Sequence, residues 1–158
     1  MRSIRSIKIE DLDKLAEIYV TAYNNSDAGE EWTKSKAKSL IRFYLEKQPD
    51  LSFCVEEDDQ LKGGFVVGIM PWWDGNHLYD GEIFIDPNYH HRGFGKDLLK
   101  KVFQEALDKY QVVTWDFTTF KNLDFPISWY KKLGFRENRE WITMEGSVEE
   151  ALKKLEEE

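Results

Sequence analysis

The sequence predicts an α/β domain, and three observations carry that prediction. β-rich runs alternate with apolar stripes of helical period along all 158 residues. Between Glu82 and Leu99 an apolar strand, a proline-marked turn, two glycines and a helix start follow one another. No linker, repeat or low-complexity stretch interrupts the chain, which is long enough for one core and short for two, so residues 1–158 are expected to form a single domain.

The elements follow in order. Residues 4–9 alternate as a first strand, and Asp11 opens a helix in which Leu12, Leu15, Ala16, Tyr19, Ala22 and Tyr23 share a face. Residues 24–29 end it. Thr33 can cap a second helix running to about Lys47, with Ala37, Leu40, Ile41, Tyr44 and Leu45 inward and Pro49 as its stop. Runs 51–56 and 61–70 flank an Asp58-Asp59 turn and predict a hairpin, with 78–86 the third strand of the group. After the glycines, Leu98, Leu99, Val102, Phe103, Ala106 and Leu107 make an i, i+3/i+4 stripe. Run 112–118 is β-rich, 126–133 a short helix, and Phe135 and 141–144 suggest final strands. Ser147 with Glu150 resembles a capping box that opens a last helix through Val148, Ala151, Leu152 and Leu155.

Composition narrows the function classes. A net charge of −8 argues against nucleic acid, which needs a basic face, and suits neutral or cationic small partners. No apolar run approaches the ~20 residues of a membrane span, and the polar start lacks a signal-peptide core, so a cytoplasmic location is the expectation. A single cysteine, Cys54, excludes an internal disulfide and a thiolate zinc cluster, and it reads as a buried small hydrophobe. His90 and His91 are adjacent, unlike the i, i+4 spacings that converge on a metal, so no metal is expected.

Gly93 and Gly95 let the chain bend close to a ligand, while the first turn of the next helix points unpaired N–H groups and a positive dipole end outward. A phosphate or pyrophosphate fits such a cradle, and Arg92 and Lys96 add charge, although ordinary surface charge is the bland account of both. A dinucleotide fold would also place glycines after a strand, with Asp116 roughly 20 residues on. Against it, Leu98 stands at the third glycine, the motif is mid-chain, and one β-α-β unit is present where two are needed. A phosphate-binding loop of the Walker type would need Ser or Thr after Lys96, where Asp97 stands.

The run Ile85-Asp-Pro87-Asn-Tyr89-His90-His91-Arg92-Gly93-Phe94-Gly95 resembles the acyl-CoA signature of the GCN5-related N-acetyltransferase (GNAT) superfamily, with His90 where Gln or Arg is usual. Ile127-Ser-Trp-Tyr130-Lys-Lys-Leu133-Gly134-Phe135 is similar to the end of that family's penultimate helix. The resemblance implies a mixed sheet, splayed between its fourth and fifth strands and flanked by helices, that transfers an acetyl group from acetyl-CoA to a primary amine by direct attack. It implies that the backbone of Ile83, Phe84 and Ile85 pairs with the pantetheine arm and that His90, His91, Arg92, Gly93, Phe94, Gly95 and Lys96 hold the pyrophosphate. It also implies a cofactor contact by Asn122, here eight residues before Tyr130 where seven is usual.

An alkyl amine is mostly ammonium at pH 7, and presenting it as a free base costs ~4–5 kcal/mol unless the site takes its proton. A base is therefore useful, and the departing thiolate needs only assistance from an acid. By resemblance Tyr130 is the acid, with a ring-stacking core tyrosine as its competing reading. Glu82 is the candidate base on the strand entering the site, set against a solvated strand-end carboxylate, with Asp80, Asp116 or water as alternatives. The acceptor is expected between the segments 24–32 and 71–77, whose Trp32, Trp72, Trp73 and Asp74 suit an organic cation such as a polyamine or aminoglycoside. Asp and Gly could equally be turn formers there, with the tryptophans packed or lying at a homodimer contact. A protein or peptide acceptor, or a non-catalytic acyl-CoA-binding regulatory module, are the alternatives.

Overall fold

The structure is a computed structural model describing residues 1–157. Its packing divides into two units, Met1–Leu123 and the residues from Asp124 onward, each described by itself. In the first unit β1 (Arg2–Ser6), β2 (Ser52–Glu57), β3 (Gln60–Trp72), β4 (Gly75–Ile85) and β5 (Thr114–Asp116) form one sheet in chain order. The first four are antiparallel neighbours, and β5 joins β4 in parallel. Helices α1 (Leu12–Asn24) and α2 (Lys34–Lys47) connect β1 to β2, and α3 (Phe94–Tyr110) carries the crossover from β4 to β5. The mixed α/β sheet flanked by helices is the predicted fold class.

Strand alternation sorts the core between the two faces. Val66 and Phe84 join Leu12, Leu15, Ala16, Tyr19, Ala37, Ile41, Tyr44 and Leu45 of α1 and α2 in one cluster. On the opposite face Phe65 meets Trp115 of β5, which in turn meets Phe103 of α3. Thr33 caps α2 as predicted, its hydroxyl accepting the Lys36 N–H. Asp58 and Asp59 both take positive φ, the conformation a tight two-residue hairpin turn between β2 and β3 requires.

Two features of β4 prepare the site. At Asp80 and Gly81 both residues take positive φ and the β3 register shifts. This is a bulge, and glycine is needed because a Cβ on Gly81 would lie 2.5 Å from the Val66 carbonyl. The Gly81 N–H donates to the Tyr44 hydroxyl (3.1 Å), and the Trp115 indole N–H donates to the Asp80 carbonyl (2.8 Å). Beyond the bulge β4 continues to Ile85, whereas β5 pairs only with His77, Leu78 and Tyr79. The sheet therefore opens between its fourth and fifth strands, where the resemblance places the splay.

Several boundaries differ from expectation. The first strand is Arg2–Ser6, and a 3-10 turn at Ile9–Asp11 precedes α1, because the Asp11 carboxylate accepts the Lys8 N–H (2.8 Å) and pairs with Arg5 instead of extending the strand. β5 covers three residues of the expected seven. The expected loop 71–77 is absent, since β3 and β4 pair as far as Trp72 opposite Gly75 and leave a two-residue turn.

In the second unit α4 (Asp124–Lys132) and α5 (Val148–Glu157) are the helices, and the expected strands at Phe135 and 141–144 do not form. Among the described residues β5 is the last strand. Trp141, Ile142 and Met144 are exposed and lie outside every strand, so the β propensity of a four-residue run alone does not make one. Helix α4 ends in a Schellman cap, in which the Phe135 N–H donates to the Tyr130 carbonyl (3.1 Å) and the Gly134 N–H to the Lys131 carbonyl (3.0 Å). Gly134 supplies the required φ of +94°, and the rings of Tyr130 and Phe135 meet at 6.0 Å. Ser147 accepts the Glu150 N–H (3.2 Å) at the start of α5, as the capping pattern predicts.

Candidate active site

Backbone parity decides which part of β4 is available at the opening. The Asp86 N–H donates to the Lys62 carbonyl (2.8 Å), so Asp86, Phe84 and Glu82 turn their backbone groups to β3. Ile83 and Ile85 consequently face the side that β5 has left. Phe84, 3% exposed, contributes its ring to the core instead. The Ile85 carbonyl already has a partner, because His90 folds back and donates Nε2–H to it (3.0 Å). That contact accounts for the histidine at this place in the motif: it ties the turn to the strand.

The turn after β4 ends at Gly93, whose φ of +86° makes it the N-cap of α3. No side chain caps the helix, so the N–H groups of Phe94, Gly95 and Lys96 lie in a first turn without helical partners. Arg2 anchors this turn from β1. Its guanidinium stacks on Phe94 (3.8 Å), pairs with Asp97 (2.8 Å) and donates to the Arg92 carbonyl (3.0 Å). With Asp97 neutralised, the dipole end is less opposed by its own carboxylate. Arg92 is spread between the Tyr89 ring (5.1 Å) and Glu57 (3.6 Å), His91 takes φ of +60°, and Lys96 and Asn122 are exposed. A pyrophosphate and an extended amide-bearing arm fit these two groups of backbone donors.

Glu82 points to the α1 face. The Tyr23 hydroxyl donates to its Oε2 (2.8 Å), and Tyr19 also hydrogen-bonds the carboxylate. Burial, joined by Asp80 and Glu30, raises the Glu82 carboxyl to about 7 against the downward pull of the two tyrosine hydrogen bonds. Tyr23 stacks on Tyr19 (4.4 Å), and Tyr19 meets Trp32 (5.1 Å) and Phe84 (5.2 Å) edge-on. Trp32 is fixed by Asn24, whose side chain accepts its N–H (2.8 Å) and donates to its carbonyl (2.9 Å), and its indole donates to Glu30 (2.7 Å). Sequence reasoning had Tyr19 and Tyr23 only as core positions. Their spacing on the apolar face of α1 concealed hydroxyls aimed at a residue far away in the chain.

The other acceptor candidates lie elsewhere. Trp72, Trp73 and Asp74 sit at the tip of the β3–β4 hairpin, and Trp73 is 87% exposed. At about 3.3 Å per residue the tip is roughly 25 Å along β4 from Glu82. Asp74 accepts from His77 Nε2 (2.7 Å), and Asp116 bonds His77 Nδ1. Burial alone would lower the His77 pKa, but its bonds to Asp116 and Asp74 outweigh that and raise it. The two carboxylates thus clasp a buried imidazole where β5 joins β4, which occupies Asp116 as well as Asp74. In the second unit Tyr130 is 7% exposed, beside Trp129 and Phe135. Cys54 is buried, its thiol pushed up to about 12 by burial, as expected of a small core residue. Among the described residues no cluster of His, Cys, Asp or Glu could hold a metal ion, and no helix is long and apolar enough to cross a membrane.

Comparison with known proteins bears on the family and the fold. An uncharacterized N-acetyltransferase of Methanocaldococcus jannaschii is 28% identical over 90% of this chain and 65% of that protein. A thialysine N-epsilon-acetyltransferase of Sus scrofa is 32% identical over 47% of the chain and 43% of that protein. A probable spermine N(1)-acetyltransferase of Bacillus subtilis subsp. natto is 28% identical over 52% and 57%. The chain thus spans under two thirds of the length of each. In fold, it is similar to a possible acetyltransferase of Clostridium difficile 630, with a TM-score of 0.75 at 17% identity over 94% of this chain and 98% of that one. A predicted acetyltransferase of Clostridium acetobutylicum, solved with acetyl-CoA, gives 0.69 at 20% over 92% and 96%. The model of the Acetyltransferase (GNAT) family matches residues 12–135, and the chain belongs to that family.

Proposed function

We propose that the protein is an acetyl-CoA-dependent N-acetyltransferase acting on a small cationic amine, with Glu82 as its base. The observation that carries the reading is a half-buried carboxylate held by the Tyr23 hydroxyl (2.8 Å) on the strand whose far edge is open, where burial pushes its pKa up to about 7. Such a group is basic enough to take an ammonium proton and is still ionised in half the molecules at neutral pH. Glu30 and Asp80 add negative charge around it, and the half-buried Trp32 adds a ring, a lining suited to an organic cation. The relatives named for thialysine and spermine act on amines of that kind.

In this reading the unpaired backbone of Ile83 and the open N–H of Ile85 hold the pantetheine arm as an added strand. The first turn of α3 binds the pyrophosphate, and Arg92, Lys96, His91 and Asn122 supply further contacts. Glu82 takes the proton from the amine, which attacks the thioester carbonyl. With the Ile83 carbonyl and the Ile85 N–H on the arm, the Ile83 N–H is the open-side donor left to stabilise the oxyanion without reorganising. As the C–S bond breaks, Tyr130 protonates the departing thiolate, and the second proton of the nitrogen, released as the amide forms, restores the Tyr130 hydroxyl by way of water.

The test is coenzyme A thiol release from acetyl-CoA against polyamines, aminoglycosides, amino acids and short peptides with free N-termini. Release selective for cationic small amines, reduced at least ~100-fold in Glu82→Gln, is expected. Release with peptides alone, or none above hydrolysis, overturns the small-amine reading.

A further inference from the structure

The proposed base is not held by its own strand alone. A glutamate side chain has three rotatable bonds, and nothing on β4 bonds the Glu82 carboxylate. Its partners come from α1, and they are themselves fixed. The Tyr23 ring lies stacked against Tyr19, Tyr19 is wedged by Trp32 and Phe84, and Trp32 is clamped on both backbone sides by Asn24. The Tyr23 hydroxyl is therefore delivered to Glu82 by a packed aromatic series and not by a mobile side chain.

We propose, resting on the reading of Glu82 as the base, that Tyr23 with support from Tyr19 is a positioning residue that holds the Glu82 carboxylate in one orientation and sets its basicity. The charged groups around Glu82 make that assignment consequential. Asp80 on its own strand and Glu30 on the loop after α1 oppose ionisation, as does burial. Tyr44 of α2 also lies near it, its hydroxyl oxygen accepting the Gly81 N–H. Tyr19 and Tyr23 are the donors that favour the carboxylate. A phenol O–H donated to an ionised oxygen stabilises the charged form alone, so removing it leaves burial and like charge to keep Glu82 protonated at neutral pH. A protonated Glu82 cannot accept the amine's proton.

The experiment uses Tyr23→Phe, with Tyr19→Phe as a second variant, and two readouts. The first is the pKa of the Glu82 carboxyl carbon, measured by NMR on protein labelled with 13C at glutamate and assigned by loss of the signal in Glu82→Gln. The second is kcat/KM against pH with the best amine. In Tyr23→Phe both the carboxyl pKa and the acidic limb are expected to move up by about one unit. Activity at pH 7 then falls roughly fivefold and returns to within about twofold of wild type at pH 9. A uniformly lower profile with an unmoved limb, or a carboxyl pKa unchanged in both tyrosine variants, overturns the proposal. If no amine is acetylated by the wild type while Tyr23→Phe still moves the carboxyl pKa, the acetyltransferase reading fails and the positioning role stands.

Discussion

A carboxyl group whose folded-state pKa lies above its unfolded value opposes folding once it ionises. Glu82, pushed from 4.5 to about 7, contributes stability that is present in full below pH 4.5 and lost as pH rises through 7. Glu82→Gln is thus expected to be the more stable protein at pH 8, by ~1–3 kcal/mol after allowance for partial exposure, and indistinguishable from wild type at pH 4. Urea melts at the two pH values check this, and equal midpoints at pH 8 would remove the buried charge from the account. At Tyr130 the expectation is the reverse, a change in rate without a change in binding: Tyr130→Phe should lower turnover about tenfold or more and leave acetyl-CoA affinity unchanged by calorimetry. Unchanged turnover would leave Tyr130 with its packing role in the α4 cap alone. The place of Glu82 on an entering strand was legible in the sequence. Its environment was not, because Tyr23 and Glu30 reach it only once α1 and its loop fold against β4.

Elements with a local chemical cause were legible, and those that depend on a partner were not. Thr33 and Pro49 bracket α2 within a residue, since a cap and a helix breaker act through their immediate neighbours. The glycine-rich turn and α3 follow for the same reason. The β4 bulge left no such mark, because Gly81 is required by the Val66 carbonyl of the neighbouring strand. Residues 141–144 show the opposite failure, a β-prone run that forms no strand. Gly81→Ala is expected to cost several kcal/mol, since a Cβ meets backbone 2.5 Å away at a positive φ, and to remove activity by closing the bulge beside Glu82. Gly134→Ala, at φ +94° with no atom within 4 Å of its Cβ, should cost only about 1 kcal/mol. Thermal melts of the two variants separate steric from purely conformational cost, and equal losses would contradict the assignment of the bulge to close packing.

Across the whole molecule the titrating groups pull stability toward the acid side of neutrality. His77, clasped by Asp116 and Asp74, has a raised pKa, so its contribution is complete below 6.5 and is lost as pH climbs through its folded value. Glu82 acts in the same direction from 4.5 to about 7. Asp11, Asp50 and Glu105 work oppositely: Arg5 holds Asp11 low, the Tyr110 and Gln48 bonds outweigh burial at Asp50, and Lys101 and Lys109 hold Glu105 down to about 2. Their contributions are present above about pH 4 and are lost as pH falls. A net charge of −8 adds self-repulsion as pH rises. The melting temperature should therefore peak between about pH 5 and 6. If Glu82 is the base, acetyl transfer should instead rise through pH 7, past the pH of greatest stability. Replacing His77 by Gln removes one of the two alkaline losses and should flatten the stability profile between pH 6 and 8 without moving the acidic limb of the rate. If the limb moves with His77→Gln, the clasp is coupled to the base and the two ends of β4 do not titrate independently.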